Sequence, residues 1–374
     1  MKILLTGGGT GGHFYPLIAV ARSLQKEAEL QSIARVDLYY MSDDPYDADM
    51  LLLDGIKFIK VPCGKARRYF SFKYLPDTIK TFTGLFMAFS RILLLLPDAI
   101  FSKGGYASFP ALFWARFFRI PVLIHESDTV PGIVNTWSGK WADRIAVAFP
   151  ETVKYFKGKN VALVGNPVRS QVLGGNVTEA VEYFKLEENL PLLLILGGSQ
   201  GSERINEAVL TVLLDAVKTY QIIHQTGNKN FGEIQARSRI LLEKSEFKSR
   251  YHPAPFLTEG ESRNASRMAS IVISRAGASA IFEIAAWGLP SILIPLPEAA
   301  QDHQRENAYA YAHSGSCEVL EESNLTPHIL LALIEKILQN PEKNAKMRQS
   351  AQAFARLDAA DEIARELLKL AIHE

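Results

Sequence analysis

The sequence predicts an α/β protein of two Rossmann-like domains facing each other across a cleft. Three observations carry this. A short apolar run, a glycine turn and a helix-forming stretch follow one another at residues 1–26, and the same order returns at 192–214. Short apolar runs alternate with longer helix-forming stretches between and after these starts, as in parallel sheets. At 374 residues the chain is long for one core and suits two domains of about 150 residues or more.

The first half opens with a buried-type strand at 1–6, followed by Gly7-Gly8-Gly9-Thr10-Gly11-Gly12-His13. A helix is expected over 16–26, with Pro16 in its first turn. Gly7, Gly9 and Gly12 satisfy G-x-G-x-x-G between a strand and a helix. Asp43 or Asp44, after a strand at 36–41, would then be the acidic ribose ligand of a dinucleotide. Any close approach of backbone to phosphate selects the same glycines, however, and His13 puts a candidate general base at the mouth of the loop. The plain alternative is a structural histidine.

Between 64 and 91 the composition changes. Lys65, Arg67, Arg68, Lys73, Lys80 and Arg91 alternate with aromatic and aliphatic side chains and meet only Asp77. That pattern reads as an interfacial patch for anionic lipid headgroups, or as a core helix with a solvated basic face. The most apolar stretch, 82–101, is interrupted by Arg91, Pro97 and Asp98, so no uninterrupted apolar span of about 20 residues is expected. A strand at 99–101 leads into Ser102-Lys103-Gly104-Gly105-Tyr106, a second glycine turn and candidate anion site.

A strand at 121–124 ends in His125-Glu126-Ser127-Asp128, where catalytic groups collect in such sheets. Asp128 equally suits a helix N-cap for the segment starting near Gly132. Strands at 144–147 and 161–164 complete this half, and Gly165-Asn166-Pro167-Val168-Arg169 has linker chemistry.

The second half repeats the grammar. A strand at 192–196 runs into Gly197-Gly198-Ser199-Gln200-Gly201 and a helix at 204–214, a further strand follows at 221–225, and 251–256 leads through His252 and Pro255 to a short helix. A strand at 271–273 turns through Ser274-Arg275-Ala276-Gly277 into a helix beginning at Ala278. Ser279 and Glu283 lie one helical turn apart, so a phosphate at the helix start and a ribose diol one turn along fit them. The strand at 291–294 leads to another helix start at Asp302-His303-Gln304. The tail, 326–372, reads as helical with a break at Asn340-Pro341, and Phe354, Leu357, Ile363, Leu367 and Leu370 recur at packing distance.

Composition excludes several classes. Apolar content of 48% and charged content of 22% are globular values, and a net charge of +1 offers no pull toward nucleic acid. Cys63 and Cys317 stand alone, which fits a reducing compartment and neither a disulfide framework nor a zinc site. No paired-carboxylate motif suggests a bound metal. The N-terminal apolar run is too short for a signal peptide.

Taken together, GGGTGGHFYPLIAVA, SKGGYAS, HESD with TVPG, VGNPVR, GGSQGSERIN, HQTG and the stretch SRAGASAIFEIAAWGLPSILIPLP with DHQRENA resemble the MurG family in order, from Gly7 to Ala308. These are bacterial transferases that add N-acetylglucosamine to undecaprenyl-diphosphate-linked muramyl-pentapeptide, making lipid II from lipid I in peptidoglycan synthesis. The resemblance implies the GT-B fold. It implies an acceptor and membrane-association domain at 1–165, a UDP-sugar donor domain at 166–355, and a C-terminal helix at 356–374 packing back on the first. Thr10, Gly11 and Gly12 would touch donor sugar and acceptor diphosphate, with Gly104, Gly105 and Tyr106 holding that diphosphate. Arg169 and Ser199 would meet the donor diphosphate, Ala278 and Ser279 the helix-start phosphate, Glu283 the ribose and Gln304 the sugar hydroxyls. Leu257 would lie beside the uracil. His13 leads as base, with Glu126 and Asp128 behind it.

The resemblance further implies no cofactor and no metal. It places the chain peripherally on the anionic inner face of the cytoplasmic membrane, with partners in a cell-wall synthesis complex. Two positions depart from the family pattern: Ala280 stands where Thr is frequent, and Asp128 where some members carry Asn. Rival readings are a diacylglycerol glucosyltransferase of the same fold, an NAD-dependent dehydrogenase, and a non-enzymatic scaffold binding nucleotide sugar or lipid.

Overall fold

The computed structural model describes residues 1–64, 74–198, 201–297, 299 and 302–372, with the backbone alone at 74–76. These divide into two compact units, Met1–Arg169 with Arg356–Glu374, and Ser170–Ala355.

The first unit is a seven-stranded sheet of β1 (Lys2–Thr6), β2 (Asp37–Ser42), β3 (Lys57–Lys60), β4 (Ala99–Ser102), β5 (Val122–Glu126), β6 (Arg144–Val147) and β7 (Val161–Leu163). Their order is β3-β2-β1-β4-β5-β6-β7, and every pairing is parallel. A parallel sheet needs helical crossovers and is buried on both faces, which explains strands such as Ile-Leu-Leu and Ala-Ile-Phe without a polar alternation. Ile3, Leu5 and Phe101 point to one face, against the helices Gly11–Leu30 and Ala359–Ala371. Leu4 and Ile100 point to the other, against Tyr74–Leu95 and Phe109–Phe118. The order reverses between β1 and β4, where the crevice for a ligand opens at the strands' carboxyl ends.

The second unit repeats this on six strands: β8 (Leu192–Leu196), β9 (Gln221–Gln225), β10 (Tyr251–Ala254), β11 (Ala269–Ser274), β12 (Ser291–Leu293) and β13 (Cys317–Val319). Their order, β10-β9-β8-β11-β12-β13, is again wholly parallel. Its core gathers Leu193, Ile195, Ile271 and Ile273 under the helices Glu203–Thr219 and Pro327–Leu338. The reversal point lies between β8 and β11.

Several expectations are corrected. The first helix starts at Gly11, directly on the glycine loop, so Pro16 is interior to it. Pro16 has no N–H to give the carbonyl four residues back, and the helix continues through that gap. Asp128 is not an N-cap, because Gly132 occupies that position and makes no side-chain cap. Residues 165–169 are no loose linker: Gly165, Asn166 and Arg169 are buried within the first unit. The tail has a second break, at 355–358, leaving Phe354 on the helix Pro341–Phe354 against Phe282 and Tyr311, and Leu357 61% exposed. Lastly, the window Asp77–Leu95 stops before Pro97 and makes one helix long and apolar enough, by length and composition, to cross a membrane. Its packing is that of a surface helix: Ala88 and Ile92 are fully buried, Trp114 Nε1 donates to Leu85 O, and Phe89 meets the Trp114 ring.

Candidate active site

In the first unit three loops converge at the carboxyl ends of β1, β4 and β5. Gly8 is packed so tightly that a Cβ there would stand 2.6 Å from Ala107 Cβ and 2.7 Å from Ser42 Oγ, which ties the β1 loop to the β2 and β4 ends. Gly104 takes φ +76, and its Cβ would strike the Asn135 side chain at 2.7 Å, so only glycine serves there. These constraints bring Gly104-Gly105 beside the glycine loop, with His13 Nε2 3.4 Å from where a Gly105 Cβ would be.

His13 is half-buried, and its Nδ1 lies 3.2 Å from Thr10 Oγ1. In the tautomer where Nδ1 donates to Thr10, Nε2 keeps its lone pair toward the Gly105 side, as a base requires. Thr10 and Gly12 are exposed on the same turn, and Gly11 is buried. Tyr106 covers Gly9, and its hydroxyl donates to Asp43 Oδ2 at 2.8 Å. Asp43 is therefore a tether for Tyr106. The sequence offers no signal for that pairing beyond an acidic residue after a strand.

Glu126 differs from the expectation of a reserve base. It is 5% exposed, and its oxygens accept from the Asn135 amide and from the backbone N–H of Asp128 and Gly132. Those bonds close the 126–132 loop, so Glu126 organises the site from beneath. Burial and the neighbouring Asp128 charge push its carboxyl up, while the Asn135 and backbone donors pull it back. Asp128 is half-buried on the same loop, and its carbonyl accepts from Thr152. His125 is fully buried, and burial, then Lys103, holds it well below the usual histidine range.

The second unit presents two helix starts. Gly277 caps the helix Ala278–Trp287 without a side-chain bond, leaving amides of its first turn for an anion. Ala278 is buried at that start, while Ser279 and Glu283 are half-buried one turn apart. Arg275 braces the turn by donating to the carbonyls of Ile294 and Pro295 and pairing with Glu322. Asn307 Nδ2 reaches Ala276 O at 3.4 Å, drawing the helix His303–His313 to the same loop. Gln304 Oε1 accepts from Leu296 N, which fixes the amide group at the helix start.

Other sequence candidates are placed differently. Arg169 belongs to the first unit and lies over the Tyr15 ring at 3.9 Å. Leu257 is 2% exposed, and its N–H donates to Gln225 Oε1. Within HQTG, His224 is buried between Tyr251 OH and Asn206 Oδ1, a packing role. Ser199 lies outside the described residues, as do Lys65, Arg67 and Arg68. Among the described residues no group of three or more His, Cys, Asp or Glu side chains is arranged to hold a metal ion. Asn135 and Lys103 were not singled out from the sequence, because an isolated Asn or Lys carries no spacing signal.

Comparison with known proteins agrees with this architecture. The glycosyltransferase family 28 N-terminal domain matches residues 3–147, and the family 28 C-terminal domain matches 192–363. A UDP-N-acetylglucosamine–N-acetylmuramyl-(pentapeptide) pyrophosphoryl-undecaprenol N-acetylglucosamine transferase of Thermodesulfovibrio yellowstonii is 37% identical over 380 aligned positions, covering 99% of each chain. The like-named protein of Treponema denticola is 36% identical over 368, covering 95% of this chain and 93% of its own. The crystal structure of Acinetobacter baumannii MurG superposes with a TM-score of 0.73 at 26% identity, covering 98% and 99% of the two chains, and the fold is GT-B. The chain belongs to glycosyltransferase family 28, in its MurG group.

Proposed function

We propose that the chain transfers N-acetylglucosamine from UDP-N-acetylglucosamine to the 4-hydroxyl of undecaprenyl-diphosphate-linked N-acetylmuramyl-pentapeptide, with inversion, the lipid I to lipid II step of peptidoglycan synthesis. One observation carries this reading. The chain matches transferases of that name end to end, and its own glycine turns and helix starts stand at the carboxyl ends of both parallel sheets, where ligands bind.

The chemistry follows from the groups in place. His13 Nε2 takes the proton of the acceptor hydroxyl as its oxygen attacks the anomeric carbon and the bond to UDP breaks. The Gly104-Gly105 turn, with Tyr106, holds the acceptor diphosphate. Amides at the start of the helix Ala278–Trp287, with Ser279, meet the charge developing on UDP. Glu283 takes the ribose diol and Gln304 the sugar hydroxyls, with Leu257 beneath the uracil pocket. The acceptor's lipid tail requires a membrane surface, and the helix Tyr74–Leu95 offers one: Phe82, Phe86 and Leu94 are about 70–80% exposed, beside Phe117 on the neighbouring helix.

The test is UDP release from UDP-N-acetylglucosamine, with and without a lipid-diphosphate-muramyl-pentapeptide acceptor, beside UDP-glucose with diacylglycerol. Release that requires both the N-acetylglucosamine donor and the muramyl acceptor is the expected result. Release only in the glucose arm would transfer the chain to the glucosyltransferase reading.

A further inference from the structure

Beneath the acceptor loops lies a buried cation that the proposed mechanism does not use. Lys103, the residue before Gly104-Gly105, is 2% exposed. Its Nζ lies 2.6 Å from His125 Nδ1 and 3.0 Å from Asn166 Oδ1, and it donates to Ser127 Oγ. The bonding directions are settled by the neighbours. His125 Nε2 lies 2.8 Å from Gly165 O, a group that can only accept, so Nε2 carries the proton and Nδ1 is an acceptor. Ser127 donates its own hydroxyl proton to Asn166 Oδ1 at 2.9 Å. Three acceptors thus face one nitrogen, and an ammonium has three protons to give.

These acceptors come from separate stretches: the end of β5, the loop after it, and the 165–169 segment that leads out of the first unit. We infer that Lys103 is a positioning residue for the proposed transfer, its ammonium fixing the 125–128 loop and the Gly165–Asn166 segment against the Gly104-Gly105 turn that holds the acceptor. The inference rests on the proposed function and adds to it a determinant beneath the acceptor site.

Charge supports the same arrangement. The titratable groups facing Lys103 are His125 and Glu126 on β5 and Asp128 on the following loop. Arg356 lies beyond Gly165, and His13 lies beyond Gly105. Burial pulls the Lys103 amine down, and the Glu126 and Asp128 charges oppose that pull. In return, the buried Lys103 charge favours the ionised form of Glu126, whose oxygens accept the bonds closing the 126–132 loop. Without it, Glu126 protonates more readily, and the acid limb of the rate profile moves to higher pH.

The experiment compares wild type with Lys103→Met, which keeps length and loses charge and donors. With the muramyl acceptor, kcat should fall roughly 10- to 100-fold. The KM for UDP-N-acetylglucosamine should stay within about twofold, and the acid limb should rise in pH. Imidazole ¹⁵N shifts should show His125 fixed as the Nε2–H tautomer in wild type and mixed in the variant, a readout that needs no turnover. Should Lys103→Met fail to fold, Ser127→Ala removes one acceptor while leaving the charge, and should lower kcat about three- to tenfold with donor KM unchanged. Unaltered kcat, acid limb and His125 tautomer in a folded variant would overturn the inference. A wild type with no acceptor-dependent release would instead remove the proposed function, leaving the His125 resonances to decide whether Lys103 holds the loop.

Discussion

His13 is the side chain on which the proposed chemistry depends most directly. Its Nδ1 contact with Thr10 orients the ring, and its Nε2 approaches the Gly105 turn. Positioned base catalysis supplies ~10²–10⁴-fold, so His13→Ala should cost about 3–5 kcal/mol in the barrier, with donor KM little changed. A loss under tenfold in steady-state kcat would shift the base to Asp128, the half-buried carboxylate on the neighbouring loop. His13, Glu126 and Asp128 were legible as candidates from their place after strands. Their division of labour was not, since ionisability is written in the sequence and burial is not. Glu126 is satisfied by two backbone donors on its own loop and by Asn135 on the helix that follows, while His125, quoted only as part of a motif, is buried and held by Gly165 O. The Lys103 cluster was invisible for a plainer reason. Residues 103, 125, 127 and 166 meet only once β4, β5 and the segment after β7 lie side by side.

At the level of elements, legibility followed apolar continuity. The central strands β1, β4, β8 and β11 are runs of buried aliphatics and stood out, whereas β3 and β13 did not. Lys57-Phe58-Ile59-Lys60 carries a lysine at each end, and Cys317–Val319 is three residues long, as suits sheet edges. The apolar span of the helix Tyr74–Leu95 was misjudged because the stretch was taken as 82–101, where Arg91, Pro97 and Asp98 interrupt it, whereas the helix ends before Pro97 and Arg91 is exposed on it. Ala88 and Ile92 hold it to the first unit, so its exposed aromatics contribute little to folding. Phe82→Ser with Phe86→Ser should therefore leave the melting temperature within about 2 °C, since neither ring is buried. Flotation with anionic vesicles should drop at least roughly tenfold, because each ring loses about 1–2 kcal/mol of apolar insertion. Unchanged flotation would assign membrane contact elsewhere.

On the scale of the whole chain, linear order and packing order disagree. The family 28 C-terminal match runs to residue 363, yet the helix Ala359–Ala371 belongs to the unit formed by the chain's beginning. Apolar spacing showed that this helix would pack and the family resemblance implied the first domain as its partner, while the residues it meets are visible only in the structure. Its Ile363, Leu367, Leu368 and Leu370 are at most 7% exposed and share a core with Phe14, Leu17 and Leu24. Lys26–Asp361 and Arg144–Glu366 pair at 2.9 and 2.7 Å, but partly exposed pairs of this kind contribute ~0–1 kcal/mol each. Burying four large aliphatics contributes about 6–12 kcal/mol, so packing decides the matter. That is the size of a whole domain's stability, ~5–15 kcal/mol. A chain ending at Ala355 should therefore lose hydrogen-exchange protection throughout β1, β2, β4 and β5. The second unit, whose core of Leu193, Ile195, Ile271 and Ile273 draws nothing from the missing helix, should keep protection in β8, β9 and β11. Protection retained in both sheets of the truncated chain would show that the first unit's core closes without its last helix.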